Sequence, residues 1–183
     1  MTGALPMRIL VAGVGNVLRA DDAFGVEVAR RMETMDLPPG VKVVETGIAG
    51  IALLTEIQDG WDALVVVDAV DHQRPHGTVM LIEPEVIDAH QLTWAQRNDL
   101  MADAHLATPD RVLMLAKALN ILPPRVLMVG CQIEDPDAVG EEMTPPVAAA
   151  VDIAIREILA HVAKLREPGS NGSVAPAAPA TSA

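Results

Sequence analysis

The sequence predicts a three-layer α/β domain: a mostly parallel, twisted five-stranded sheet with helices on both faces and one antiparallel strand at an edge. Three observations predict it. Short β-branched or aliphatic runs bounded by turn residues recur along the 183-residue chain. Most of these runs are continuous rather than alternating, as in parallel strands buried on both faces. Segments with apolar residues at helical spacing lie between them, and alternation of the two element types is the pattern of layered α/β folds.

The first strand is read over Arg8 to Val14, followed by a helix carrying Val26, Ala29, Arg30 and Glu33. A second strand over Val41 to Glu45 leads into a helix with Ile51, Leu54 and Ile57, and a third spans Ala63 to Asp68. The run Thr78 to Glu83 follows too closely for a helical crossover, which takes a dozen or more residues, and is therefore expected as the antiparallel edge strand. Glu85 to Ala104 has no firm period and is read as a loop with one helix, a flexible segment on the substrate side. Thr108-Pro109 and Thr144-Pro145-Pro146 place a hydroxyl cap before proline, marking helices that carry Val112, Leu115, Ala116 and Leu119, and Val147, Val151, Ile155, Leu159 and Val162. The fifth strand, Arg125 to Cys131, lies between them. A single domain over residues 7–166 is expected. Residues 167–183 should form a disordered tail, since from Pro168 onward only Pro, Gly, Ser, Asn, Val, Ala and Thr occur.

A formal charge of −12 argues against a nucleic-acid or anionic-membrane surface, because phosphate binding needs clustered Lys and Arg. An acidic cleft suits a metal or a cationic segment instead. The single cysteine, Cys131, excludes an internal disulfide, and the apolar start is too short and glycine-interrupted for a membrane span or signal peptide. A cytoplasmic protein is expected. Aromatic residues make up 2% of the chain, so the core must be aliphatic.

The most informative stretch is Val11-Ala12-Gly13-Val14-Gly15-Asn16-Val17-Leu18-Arg19-Ala20-Asp21-Asp22-Ala23-Phe24-Gly25, in which glycines close a strand and two acids stand where a helix begins. A dinucleotide fingerprint would need a third glycine where this chain has Leu18, and the two acids stand where a pyrophosphate would lie. Helix capping explains one acid but not two. Ligands in open α/β sheets gather at the carboxyl ends of strands, where Asp22 follows the first strand and Asp68 closes Leu64-Val65-Val66-Val67-Asp68-Ala69. His105 precedes the Thr108 cap by three residues. Two carboxylates and an imidazole suit a divalent ion such as nickel, zinc or manganese, and three ligands leave positions open for substrate.

The Gly-Val-Gly-Asn start, the Asp-Asp pair, the strand-end Asp68 and the Val129-Gly130-Cys131 strand end resemble the hydrogenase maturation endopeptidases, from about Met7 to about Ala163. The resemblance implies an endopeptidase that removes the C-terminal peptide of the nickel-loaded large-subunit precursor of a [NiFe] hydrogenase. It implies that Asp22, Asp68 and His105 recognise nickel brought by that precursor, with Asp22 and Asp68 as the catalytic carboxylates. His105 matches the family histidine better than His90, and the glycine turn Thr46-Gly47-Ile48-Ala49-Gly50 matches a loop beside the substrate. His72, His76, His90 and His161 are read as surface residues, although His72 and His76 flank a turn after Asp68 that can bring them near the site. A Cys131 thiol paired with His105 is a competing nucleophile, although a lone free cysteine is usually a small buried hydrophobe. The rival of another class is a non-catalytic nickel- or precursor-binding chaperone on the same fold.

Overall fold

The computed structural model describes residues 6–48, 50–88, 91, 93–94 and 108–167. Its elements are β1 (Ile9–Val14), α1 (Phe24–Glu33), β2 (Val41–Gly47), α2 (Gly50–Ile57), β3 (Ala63–Val70), β4 (Val79–Ile82), α3 (Pro109–Ala118), β5 (Arg125–Gln132) and α4 (Pro145–Leu165). The five strands lie in the order β2-β1-β3-β5-β4, parallel except for β4, which pairs antiparallel with β5 at the edge. The chain order reverses direction between β1 and β3. In an open α/β sheet this is where the connecting loops diverge and leave a crevice.

Successive strand residues face opposite layers. Ile9, Val11, Val65, Val67, Leu127 and Val129 pack under α1 and α4, whereas Leu10, Ala12, Leu64, Val66 and Met128 pack under α2 and α3. Both faces are thus covered, which explains why these strands read as continuous apolar runs. The helical stripes differ in detail from the sequence expectation. Ile51 is 47% exposed and Leu119 is 54% exposed, while Leu53 and Leu113 are buried in the second layer. Helical spacing tolerates a one-residue rotation of the apolar stripe, and the sheet selects among the candidates.

Helix α1 approaches β1 and β3 more closely than side chains allow. A Cβ on Gly13 would lie 2.2 Å from the Gly25 carbonyl oxygen, and one on Gly25 would lie 2.1 Å from that of Val67. Gly15, at φ +143°, has no room either, since its Cβ would stand 1.9 Å from the Asp22 carbonyl oxygen. The glycines of the opening motif therefore draw a helix and its preceding loop onto the sheet, which brings Asp22 to the β1–β3 crevice.

Strand β3 continues two residues beyond its expected end at Asp68. Pairing with β1 stops at Gly13 with Val67, but pairing with β5 continues from Asp68 with Gly130 to Val70 with Gln132. Asp68 is consequently the first β3 residue with no β1 partner, although it is not the last of the strand. No described helix is long and apolar enough to cross a membrane. The expected tail from Pro168 onward lies outside the described residues.

Candidate active site

Asp22, in the turn between β1 and α1, and Asp68, on β3, reach the same crevice. Between β1 and α1 the chain makes a 3-10 turn over Ala20–Ala23, and the Asp22 carboxylate accepts the Asn16 backbone N–H at 3.0 Å. Burial raises the Asp22 pKa, against the lowering effect of that hydrogen bond and of the Arg19 charge. On β3, Asp68 accepts the Ala69 N–H at 2.9 Å. Its pKa is pushed up to about 8, first by burial, then by the neighbouring Asp22 charge, with a further contribution from Asp110. Two carboxyls that cannot both ionise cheaply are suited to sharing a proton or a cation.

By strand parity Asp68 faces the layer of Leu64 and Val66, the side covered by α3. A cavity of about 510 Å³ opens there, lined by Asp68, Asp71, His72, Glu85, Asp110 and Met114 among others. Its charged lining is acidic apart from the imidazole. His105, four residues before Pro109, and the alternative His90 lie outside the described residues; of the three expected ligands, Asp22 and Asp68 are described. The glycine turn stands at the same edge: Gly47, at φ +57°, accepts the Gly15 N–H at 3.2 Å, and the Thr46 hydroxyl donates to the Gly13 carbonyl at 3.1 Å.

The capping expectation for the acid pair is corrected. Ala23 occupies the N-cap of α1, and neither aspartate caps that helix. Asp21 is instead buried and turned toward α4, where it accepts the Thr144 N–H at 2.6 Å, the Thr144 hydroxyl at 3.0 Å and His76 Nε2 at 3.0 Å. The expected hydroxyl caps are corrected with it: neither Thr108 nor Thr144 makes a side-chain cap bond, although each holds the N-cap position before proline. The Thr144 hydroxyl is committed to Asp21, because a buried carboxylate needs donors more than a helix end needs an acceptor.

Two histidines read as surface residues are also corrected. His76 is only 22% exposed, and His161 is buried in α4 with its pKa lowered by desolvation and then by Lys164. The sequence placed His76 beside a turn after Asp68 but not its partners, which lie 55 and 68 residues away. The wiring around it is not that of a nucleophile triad: one ring nitrogen, Nε2, faces both Asp21 and Thr144, the hydroxyl at 3.2 Å. A triad needs the acid and the hydroxyl on opposite ring nitrogens. Cys131 is no better placed. Its side chain is fully buried and its pKa is pushed up to about 12, by burial and then by Asp21, which leaves no thiolate near neutral pH.

Comparison with known proteins agrees with the fold. A family model described as HycI, hydrogenase maturation protease, matches residues 26–161. The hydrogenase expression/formation protein HupD of Rhodobacter capsulatus is 35% identical over 153 residues, 83% of this chain and 70% of that protein. HupM of Azotobacter chroococcum, described in the same words, is 33% identical over 165 residues, 90% of this chain and 75% of the relative. Among solved structures, the hydrogenase maturating endopeptidase HybD from E. coli superposes with a TM-score of 0.67 at 27% identity, covering 87% of this chain and 94% of that one. A hydrogenase 2 maturation peptidase from a Thaumarchaeota archaeon gives 0.61 at 30% identity, covering 84% and 96%. With a family model spanning most of the folded residues and these relatives in agreement on sequence and fold, the chain belongs to the hydrogenase maturation protease family.

Proposed function

We propose that this protein removes the C-terminal peptide from the large-subunit precursor of a [NiFe] hydrogenase once nickel has been inserted, and that Asp22, Asp68 and His105 hold that nickel during recognition. The ion is part of the substrate in this reading, so its capture serves as a checkpoint on insertion. The observation that carries the proposal is the meeting of Asp22, in the turn between β1 and α1, with Asp68, on β3, close enough for the Asp22 charge to raise the Asp68 pKa. A divalent cation relieves that repulsion directly, and a cationic peptide end suits the acidic cavity beside Asp68.

Asp22 and Asp68 would hold the ion, which would supply polarisation of the scissile carbonyl or activation of water. Whichever carboxylate keeps a free oxygen serves as general base. Asn16 fixes Asp22 through its backbone N–H, and Ala69 does the same for Asp68, so neither side chain has to be ordered when substrate arrives.

Incubation with nickel-loaded precursor, followed by intact-mass measurement of the large subunit, tests the proposal. Loss of a C-terminal peptide is expected from the nickel-loaded form and not from the nickel-free form. Asp22→Ala, Asp68→Ala and His105→Ala should each fold and lose processing by at least about 10 to 100-fold, the loss that follows from disturbing even a partner of a metal ligand. Efficient cleavage of nickel-free precursor overturns the ion's role. Precursor that is bound but never shortened returns the protein to the chaperone reading.

A further inference from the structure

The group formed by buried Asp21 with half-buried Thr144 and His76 stands beside the proposed ligand Asp22, yet the proposed reaction makes no use of it. We propose that His76 is a positioning residue: by holding Asp21 it sets the orientation of the Asp22 carboxylate, and it acts on ion recognition only through Asp22. The inference rests on the function proposed above for the role of Asp22.

The 3-10 turn supplies the lever. With about three residues per turn, consecutive side chains project about 120° apart, so fixing the direction of one fixes the next. Asp21 points toward α4, where its carboxylate takes three donors, and Asp22 then points the other way, where it accepts Asn16 N–H. Thr144 and Asp21 are 123 residues apart in the chain, so their bonds tie the β1–α1 loop to the start of α4. The neighbouring backbone is tied as well: Ala20 N–H donates to the Gly140 carbonyl at 2.7 Å, and Gly140 N–H to that of Leu18 at 3.1 Å. Ala20 itself is held at φ +41°, a conformation that a non-glycine residue keeps only when its surroundings enforce it.

His76 is presented by a turn that is itself braced. The buried Gln132 at the end of β5 accepts the His72 and Arg74 N–H groups on Oε1 at 2.7 and 3.2 Å, and donates from Nε2 to Asp71 at 3.0 Å. Gly77 lies so close to α4 that a Cβ there would stand 2.7 Å from the Pro146 carbonyl oxygen. A carboxylate only accepts hydrogen bonds, so Nε2 of His76 carries the proton toward Asp21, leaving Nδ1 facing Glu134 at 3.8 Å. The imidazole is thus delivered to Asp21 by a preformed support rather than resting there by chance, which is how groups behind a metal ligand hold it in place.

The test uses the full chain with nickel(II) alone as probe. Calorimetric titration of the unaltered protein is compared with His76→Ala, His76→Gln, Asp22→Asn and the His76→Ala/Asp22→Asn double variant. His76→Ala should weaken nickel(II) binding about 10-fold or more. His76→Gln, whose amide N–H reaches the same carboxylate, should recover most of it. On the Asp22→Asn background His76→Ala should cost little further affinity, because its effect passes through the residue already altered. His76→Asn, with a shorter amide, replaces the alanine variant if that does not fold, and carries the same expectation. Three results overturn the inference: no measurable nickel(II) binding by the unaltered chain, unchanged affinity in His76→Ala, or the same loss with and without Asp22. Nickel-loaded precursor left uncut by a chain that shows the expected cycle overturns the proposed function alone.

Discussion

Gly25 of α1 meets the backbone of Val67 on β3 so closely that a Cβ on Gly25 would lie 2.1 Å from the Val67 carbonyl oxygen. Val67 precedes Asp68, and Gly25 follows Asp22 by three residues, so this single contact sets the distance between the two halves of the site. Gly25→Ala should therefore destabilise the protein by about 1–3 kcal/mol or more, since the clash is with backbone on both sides and no side chain can rotate away. Urea unfolding measures it, and a change below about 0.5 kcal/mol would mean that the helix can shift without cost.

Asp68 makes stability depend on pH in a direction unusual for an aspartate. Its folded pKa of about 8 lies above the unfolded value near 3.8, so across that interval the folded state holds a proton that the unfolded state releases. The contribution of this group to stability is complete below about pH 4 and declines as the pH rises toward 8. Asp68→Asn, which cannot ionise, should gain stability over the unaltered protein between pH 5 and pH 8.5, on the order of a few kcal/mol. Paired urea titrations at the two pH values check this; a difference independent of pH would show that Asp68 ionises freely when folded.

Asp21→Ala should cost considerably more than a helix cap. A cap contributes about 1 kcal/mol, but here a buried carboxylate is removed that satisfies the Thr144 N–H and hydroxyl together with His76. Orphaning such donors raises the expected loss to about 2–4 kcal/mol. Thermal unfolding of Asp21→Ala distinguishes the two magnitudes.

Cys131→Ala should keep its turnover of precursor, because the thiol is buried, protonated and directed at the Gln132 carbonyl at 3.8 Å rather than at an imidazole. A loss of about 1 kcal/mol in stability is expected from the vacated space. Abolished processing in a folded Cys131→Ala protein would restore thiol chemistry as a candidate.

How much could be read without the structure follows from how local each signal is. Five apolar runs, the helical stripes between them and the short link into β4 carry their meaning within ten residues or so, and the observed sheet contains all five strands with β4 antiparallel at the edge. The glycine-bound acid pair was visible for the same reason: tight turns and close backbone approach demand particular residues at particular positions. Asp68 was likewise found from its place at the end of an apolar run, although β5 carries the strand two residues further by continuing to pair with it.

What the chain could not declare by itself is what Asp21 does. Asp21 and Asp22 are chemically identical neighbours; the family resemblance assigns Asp22 to the ion, and local rules left Asp21 only a capping role. Packing separates them, because one faces Thr144 and His76 in the protein interior while the other opens into the β1–β3 crevice near Asp68. The partners that decide this lie up to 123 residues away, and no spacing rule spans such a separation. The sequence determined the strands, the turn and the presence of two carboxyls at one sheet edge. Only the tertiary structure decided that Asp21 is an anchor tied to Thr144 and His76, since burial and hydrogen-bond partners are properties of the folded surroundings and not of the residue.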